Sequence, residues 1–127
     1  MAIVTPSDDI IVQEGTFAYS FIASSAVSGG ALVAPVGTMS VAHASHDADN
    51  VIGVAAYRAA AGKPVAVYGP GNIVRCCASG VIHSGDDLYA TTTGKVDDHG
   101  TMGGTAVCVG VALENADNNG AVRVLLK

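Results

Sequence analysis

Tryptophan is missing from this chain of 127 residues, and the other aromatic residues are few: four Tyr and two Phe. Sites that bind sugars or stack on nucleic-acid bases depend on aromatic side chains, so both kinds of site are disfavoured. Basic residues are also scarce, with six Lys and Arg against eleven Asp and Glu and a formal net charge of −5. Such a surface repels a phosphate backbone, and direct nucleic-acid binding is not expected.

Long apolar runs are absent as well, and the N-terminus shows no basic segment followed by an apolar one. We therefore expect neither an ordinary signal peptide nor a membrane-spanning segment. Cysteine is limited to Cys76, Cys77 and Cys108, an odd number that includes an adjacent pair. Adjacent cysteines cannot easily bridge to each other, so we interpret all three as free thiols made in a reducing cytoplasm.

What the chain has in abundance is Ala, Val and 16 Gly, arranged in a pattern that occurs twice. Leu32 recurs as Leu88, and Gly53-Val54-Ala55 recurs as Gly110-Val111-Ala112, at nearly the same spacing. Short β-branched runs separated by Gly, Asn and Asp turns are typical of strands. We predict an all-β fold, a compact small barrel or sandwich built from two similar strand-rich halves at about 17–68 and 73–126. Only two short helices are candidates, at 57–61 and 114–118.

Residues 1–9 have no counterpart in the repeat, and we predict that they form an extended N-terminal arm ahead of a single β domain at 10–127. An extended segment can add to a sheet edge or reach a neighbouring molecule. The arm is therefore the leading candidate for contact with a partner, through Ala2, Ile3, Val4, Thr5, Pro6, Ser7, Asp8, Asp9 and Ile10.

A second segment outside the repeat is the polar stretch with His43, His46, Asp47 and Asp49. These side chains can bind metals, but their spacing fits no zinc motif, and we favour a specific surface loop over a metal site. His83-Ser84-Gly85-Asp86 has the residue types of a catalytic relay, yet neighbours on one turn cannot align as one. A shallow enzymatic site of His83, Asp86 and His99 stays an alternative. We predict no catalytic, metal or cofactor site.

The order of motifs from Gln13-Glu14-Gly15, through Gly85-Asp86-Asp87-Leu88-Tyr89-Ala90, to the closing Val122-Arg123-Val124-Leu125-Leu126 resembles small tailed-virus capsid decoration, or cement, proteins. The Gly-Val-Ala motifs and Ala61-Gly62-Lys63-Pro64-Val65-Ala66-Val67 belong to the same likeness. The resemblance implies a non-catalytic virion protein on the outer capsid surface, made in the host cytoplasm. It also implies binding to the major capsid protein and self-association, often as a homotrimer. A host-surface or glycan-binding module on the virion is the alternative.

Overall fold

The computed structural model describes residues 18–46, 48–98 and 107–127, and it is all-β, as predicted. The strands of these residues are β1 Ala18–Ala23, β2 Leu32–Gly37, β3 Ser40–His43, β4 Gly53–Ala55, β5 Pro64–Tyr68, β6 Ile73–Cys77, β7 Asp87–Ala90, β8 Val96–Asp97, β9 Gly110–Ala112 and β10 Ala121–Leu126. The only helical element in these ranges is a short 3-10 turn at Thr92–Gly94. None of the described helical structure is long and apolar enough to cross a lipid bilayer.

The prediction of short helices at 57–61 and 114–118 was wrong, because the backbone there pairs with distant residues. Ala59 forms an antiparallel bridge with Val27, and Ala116 forms the equivalent bridge with Ile82. In each bridge both N–H groups donate to the opposite carbonyl oxygen, at 2.9 to 3.0 Å. An amide that is used across a bridge cannot donate to the carbonyl four residues earlier. The tertiary pairing thus overrides the helical preference of Ala.

The first five strands form a closed barrel in the order β1-β3-β2-β4-β5. All pairs are antiparallel except β1 with β3, where Ile22 lies opposite Ser40 and Ala23 opposite Val41. Sequence reasoning missed β3 and assigned its residues to a polar insert. The strand is only four residues long, and Val41 is its one fully buried side chain. Its sequence therefore shows little alternation between apolar and polar residues.

The other five strands form a sheet in the order β6-β10-β9-β7-β8. Because the barrel is closed, it can be read from β1 in the other direction as β1-β5-β4-β2-β3, and this order becomes that of the second sheet when five is added to each strand number. The register shows which residues correspond: Val33 pairs with Gly53 in the barrel, and Leu88 pairs with Gly110 in the second sheet. Leu88 therefore matches Val33, not Leu32 as the repeat suggested. β8 has two residues, and a single bridge between Ala78 and Val96 joins it to β6. The second sheet is consequently curled but not closed.

Two apolar clusters fill this architecture, and β2 takes part in both. Val33 points into the barrel, where it packs with Val27, Val41, Val65 and Val67. Leu32, on the opposite face of β2, belongs to the larger cluster that includes Ile82 and Leu88 of the second half. Side chains alternate between faces along a strand, so one strand contributes to both cores. Side chains on the outer face of the barrel therefore form one side of the larger cluster.

The repeated Gly-Val-Ala motif marks a close approach of two backbones in each half. A methyl group on Gly53 would overlap the carbonyl oxygen of Tyr68, and one on Gly110 would lie 2.6 Å from the carbonyl oxygen of Leu125. Only glycine tolerates such contacts. Glycine within a β-branched run predicts such an approach, and its occurrence in both halves suggests a place where the two halves pack together. Each contact instead lies within one half, between β4 and β5 or between β9 and β10.

Candidate functional site

The predicted arm, Ala2 to Ile10, lies outside the described residues. The described chain begins at Ala18, which pairs with Tyr68 across β1 and β5. Tyr68 lies just before the turn that leads into the second sheet. The described chain therefore enters the barrel beside the junction of the two sheets.

The two histidines of the predicted His/Asp loop, His43 and His46, contact different parts of the chain. His43 ends β3, and its Nε2 accepts a hydrogen bond from the backbone N–H of Ser28 at 3.0 Å. The Nδ1 of His46 lies 3.4 Å from the hydroxyl oxygen of Thr91, in the second half of the chain. Asp49 is exposed, and Asp47 lies outside the described residues. Among the described residues no three His, Cys, Asp or Glu side chains form a metal-binding group.

The segment from His83 to Asp86 is a braced turn in the structure. The backbone N–H of His83 donates to Asp86 Oδ2 at 2.8 Å, while His83 Nδ1 lies 3.9 Å from the same oxygen. The N–H of Ser84 donates to Asn115 Oδ1 at 2.8 Å. Asp86 and Asn115 therefore each accept a hydrogen bond from one backbone N–H of this turn, as Asp and Asn do in many turns. His99, the third residue of the alternative enzymatic site, lies outside the described residues.

The three cysteines are free, as expected, and differ in surroundings. Cys76 points into the larger core, and burial, with a smaller contribution from Cys77, raises the pKa of its thiol from 9.0 to about 12. A thiol with such a pKa is almost fully protonated at neutral pH and reacts slowly. Cys77 and Cys108 are half-buried. Cys76 is thus a small core residue.

Large apolar side chains are exposed on both halves of the chain, and several are more than half exposed. Single exposed apolar residues are ordinary, but neighbouring ones mark candidate contact surfaces. On the described part of the chain they are Tyr19, Ile22, Val36, Met39, Tyr57, Ile73, Val81, Val107, Leu113 and Leu125.

Two of these residues, Ile73 and Leu125, lie opposite each other on β6 and β10 and line a groove of about 760 Å³. We call this concavity the inter-sheet groove. The barrel supplies Val54 and Tyr68 to its walls, and the second sheet supplies Ile73, Arg75, Arg123 and Leu125. The groove therefore combines apolar side chains with two cationic ones.

Arg75 and Arg123 lie directly opposite each other in the β6–β10 ladder. The N–H of Arg123 donates to Glu114 Oε2, and its carbonyl oxygen accepts from the N–H of Leu113. Both backbone groups thus point away from β6, so the two arginines form a non-hydrogen-bonded pair with Cα atoms about 4.5 Å apart. Like charges at such a position are destabilising.

Only Glu114 offsets this charge among the described residues. Its Oε2 lies 4.0 Å from Nε of Arg123, at the outer limit of an ion pair. Arg75 forms no ion pair with a described residue. The inter-sheet groove therefore carries more positive than negative charge, in a chain whose net charge is negative.

The model of the phage cement protein family matches residues 12–127 of this sequence. The chain belongs to the phage cement protein family. It is accordingly a structural, capsid-associated protein of the virion. This confirms the resemblance to capsid cement proteins that the order of the sequence motifs indicated.

A solved structure with a similar fold is the head fiber gp8.5 N base of bacteriophage phi29, at a TM-score of 0.70. It is 21% identical in sequence, and the match covers 88% of this cement-family chain and 94% of the phi29 chain. No match to a curated protein sequence was found.

Sequence reasoning missed the inter-sheet groove. In the sequence, Arg75 and Arg123 are two of six scattered cations, although each is an exposed residue whose neighbours in the strand are buried or partly buried. Their adjacency follows from the β6–β10 register, which joins residues far apart in the sequence.

Proposed function

We propose that this protein attaches to the outer surface of the assembled head of a tailed phage and stabilises the shell without catalysing a reaction. The observation that carries the proposal is the family match, which extends over residues 12–127. The body, with its two apolar cores, supports the proposal, because the described side chains pack in these cores, belong to turns or lie on the exposed surface.

Stabilisation of a shell by such a protein follows from mass action. A protein that binds the assembled lattice but not the free subunits adds its binding free energy to the assembled state. For one site this amounts to about 2.7 kcal/mol at a free concentration a hundred times the Kd. Many copies on one head multiply the effect. No deep pocket or reactive group is required.

The major capsid protein is the proposed partner, and two parts of the chain are proposed to contact it or a neighbouring copy. The first is the arm, Ala2 to Ile10, whose β-branched residues suit pairing with a sheet edge. The second is the surface around His43, His46, Asp47 and Asp49. The exposed apolar residues of the body provide further adhesive area.

Self-association as a homotrimer is proposed as well. A head-to-tail interface between unlike surfaces closes into a ring when each copy is rotated by a third of a turn. Such a ring would place three arms on one side of the assembly. The net charge of −5 argues against direct nucleic-acid contact in this arrangement.

The test uses purified full-length protein and phage heads that lack it. Added protein is expected to co-sediment with expanded heads and to raise the temperature at which they release their contents. Deletion of residues 2–9 is expected to lower occupancy, and the His83→Ala variant, changed on an exposed turn, serves as the matched control. Failure of the intact protein to bind or stabilise the heads would overturn the proposal. Glycan binding by the isolated protein would support the host-recognition alternative.

A further inference from the structure

The inter-sheet groove presents an apolar pair and a cationic pair of side chains at a fixed spacing. Ile73 and Leu125 lie opposite each other on β6 and β10 and are 63% and 38% exposed. Arg75 and Arg123 form the opposite pair two residues away on the same strands. Residues two apart on a strand lie on the same face, about 7 Å from each other. The groove therefore offers one apolar and one cationic contact, about 7 Å apart.

The arginine pair favours a ligand with negative charge. Like charges directly opposite each other on paired strands destabilise a sheet, so this pair costs the isolated protein stability. Glu114 approaches only Arg123, with 4.0 Å between Oε2 and Nε, and Arg75 forms no ion pair with a described residue. A carboxylate from another molecule would accept hydrogen bonds from both guanidinium groups and remove the repulsion between them.

The barrel limits how a ligand can bind beside β6. The backbone groups of Arg75 point away from β10, toward the free edge of the second sheet. Gly30 of the barrel lies so close to this edge that a methyl group on it would be 2.9 Å from the carbonyl oxygen of Arg75. The barrel thus covers the edge at its centre, and a partner strand cannot pair with β6 along its length. Recognition of a ligand here depends on side chains.

An extended peptide segment matches the spacing of the two pairs. Its side chains alternate between two faces, so residues two positions apart point the same way and lie about 7 Å from each other. A carboxylate and an apolar side chain at such positions would reach the arginines and the apolar pair together. Adjacent residues would point to opposite faces. The groove therefore selects an acidic residue and an apolar residue separated by one residue of any kind.

The strands of a second copy of this chain are poor ligands for the groove. The described strands contain only two carboxylates, Asp87 in β7 and Asp97 in β8. β8 is only two residues long, so it has no residue two positions from Asp97. Asp87 is two positions from Tyr89, but its Oδ1 already lies 3.9 Å from Nζ of Lys127. The matching segment is therefore expected in a different protein.

We propose that the inter-sheet groove binds an extended segment of the major capsid protein in which a carboxylate and an apolar residue are two positions apart. The carboxylate lies between Arg75 and Arg123. The apolar side chain covers Ile73 and Leu125. This contact depends on the proposed function, attachment to the assembled head, and adds to it the surface of the body that attaches and the chemistry that this surface recognises.

The first test measures binding of the full-length protein to phage heads that lack it. The combined Arg75→Gln, Arg123→Gln variant is expected to raise the Kd about tenfold or more, because charge-assisted hydrogen bonds are lost. Its thermal unfolding midpoint should stay unchanged or rise, because the like-charge pair is gone. The matched control, Arg58→Gln with Lys63→Gln, removes the same charge from exposed residues outside the groove. The control should bind within about threefold of the parent.

The outcomes separate this contact from the function on which it depends. Failure of the parent protein to bind heads would overturn the function itself. Binding by the parent with an equal Kd in both double variants would overturn the groove contact alone. A fall in the unfolding midpoint of the groove variant would assign the arginines a structural role and equally overturn it.

A photo-crosslink identifies the occupant directly. The Ile73→benzoylphenylalanine variant is bound to the heads and irradiated, and the crosslinked peptide is sequenced by mass spectrometry. We expect a segment of the major capsid protein with a carboxylate two positions from an apolar residue. A crosslink to a second copy, to the same chain or to a capsid segment without that pattern would contradict the proposal, as would the absence of any crosslink.

Discussion

Glycine occurs in this protein at positions where the backbones of two strands lie in close contact. At Gly53 and at Gly110, a Cβ atom would overlap a carbonyl oxygen of the adjacent strand. Their role was partly predictable, since a glycine inside a short β-branched run indicates a close backbone approach. Which backbone approaches was not predictable, because that depends on strand register. The same holds for Cys76, whose thiol pKa of about 12 results from burial under residues distant in sequence.

The Gly53→Ala variant is expected to lose about 1–3 kcal/mol in the free energy of unfolding, or more, because β4 and β5 must move apart. Urea denaturation measures this loss. Gly69→Ala is the matched control: its added methyl group would have its nearest neighbour at 3.8 Å, an ordinary contact. The control should stay within about 0.5 kcal/mol of the parent. Equal losses in both variants would contradict the explanation by close approach.

At the level of elements, each strand of the barrel has a counterpart in the second sheet, but the two sets are not equally complete. β3 is held by β2 and by two residue pairs with β1, whereas β8 is held by β7 and one bridge to Ala78. The repeat in the sequence indicated two similar halves. It did not indicate that one of them closes, because closure depends on one further residue pair in a strand too short to show a pattern.

Amide hydrogen exchange should reveal this difference at two equivalent serines. The N–H of Ser24 donates to Val41 at 2.8 Å, and that of Ser79 donates to Val96 at 2.7 Å. Both serines follow an alanine, so their chemical exchange rates are closely matched. We expect Ser79 to exchange at least about tenfold faster, because β8 opens at lower free energy than β3. Equal protection at the two sites, measured by NMR, would contradict this.

The whole molecule is held together by the larger core, which draws residues from both halves of the chain. Leu32 of the barrel and Ile82 and Leu88 of the second half belong to one cluster. The two halves are therefore expected to unfold together. Cys76 reports on this, because it lies in the same cluster and its buried thiol is unreactive while the fold is intact.

Leu32→Ala should lower the free energy of unfolding by about 2–5 kcal/mol and leave a single transition. It should also accelerate alkylation of Cys76 at pH 8, measured in a Cys77→Ala, Cys108→Ala background. The control is Ile22→Ala, on the partly exposed outer face of β1, which should change both quantities little. Destabilisation of the barrel without faster alkylation of Cys76 would show that the halves unfold independently.

The same thiol gives stability a dependence on alkaline pH. Its pKa is higher in the folded state, at about 12, than the ordinary value of 9.0. The contribution of the buried neutral thiol is thus complete below pH 9. It is lost as the pH rises toward 12, where the unfolded chain binds fewer protons than the folded one.

The sequence by itself determined the all-β class, the two similar halves and the phage cement family, because alternation, turn residues and motif order are properties of neighbouring residues. Only the tertiary structure decided which half closes, which backbones approach Gly53 and Gly110, and that Arg75 lies opposite Arg123 on paired strands beside the inter-sheet groove. Those features depend on pairings between residues far apart in the chain. A shift of one residue in register moves every side chain to the opposite face.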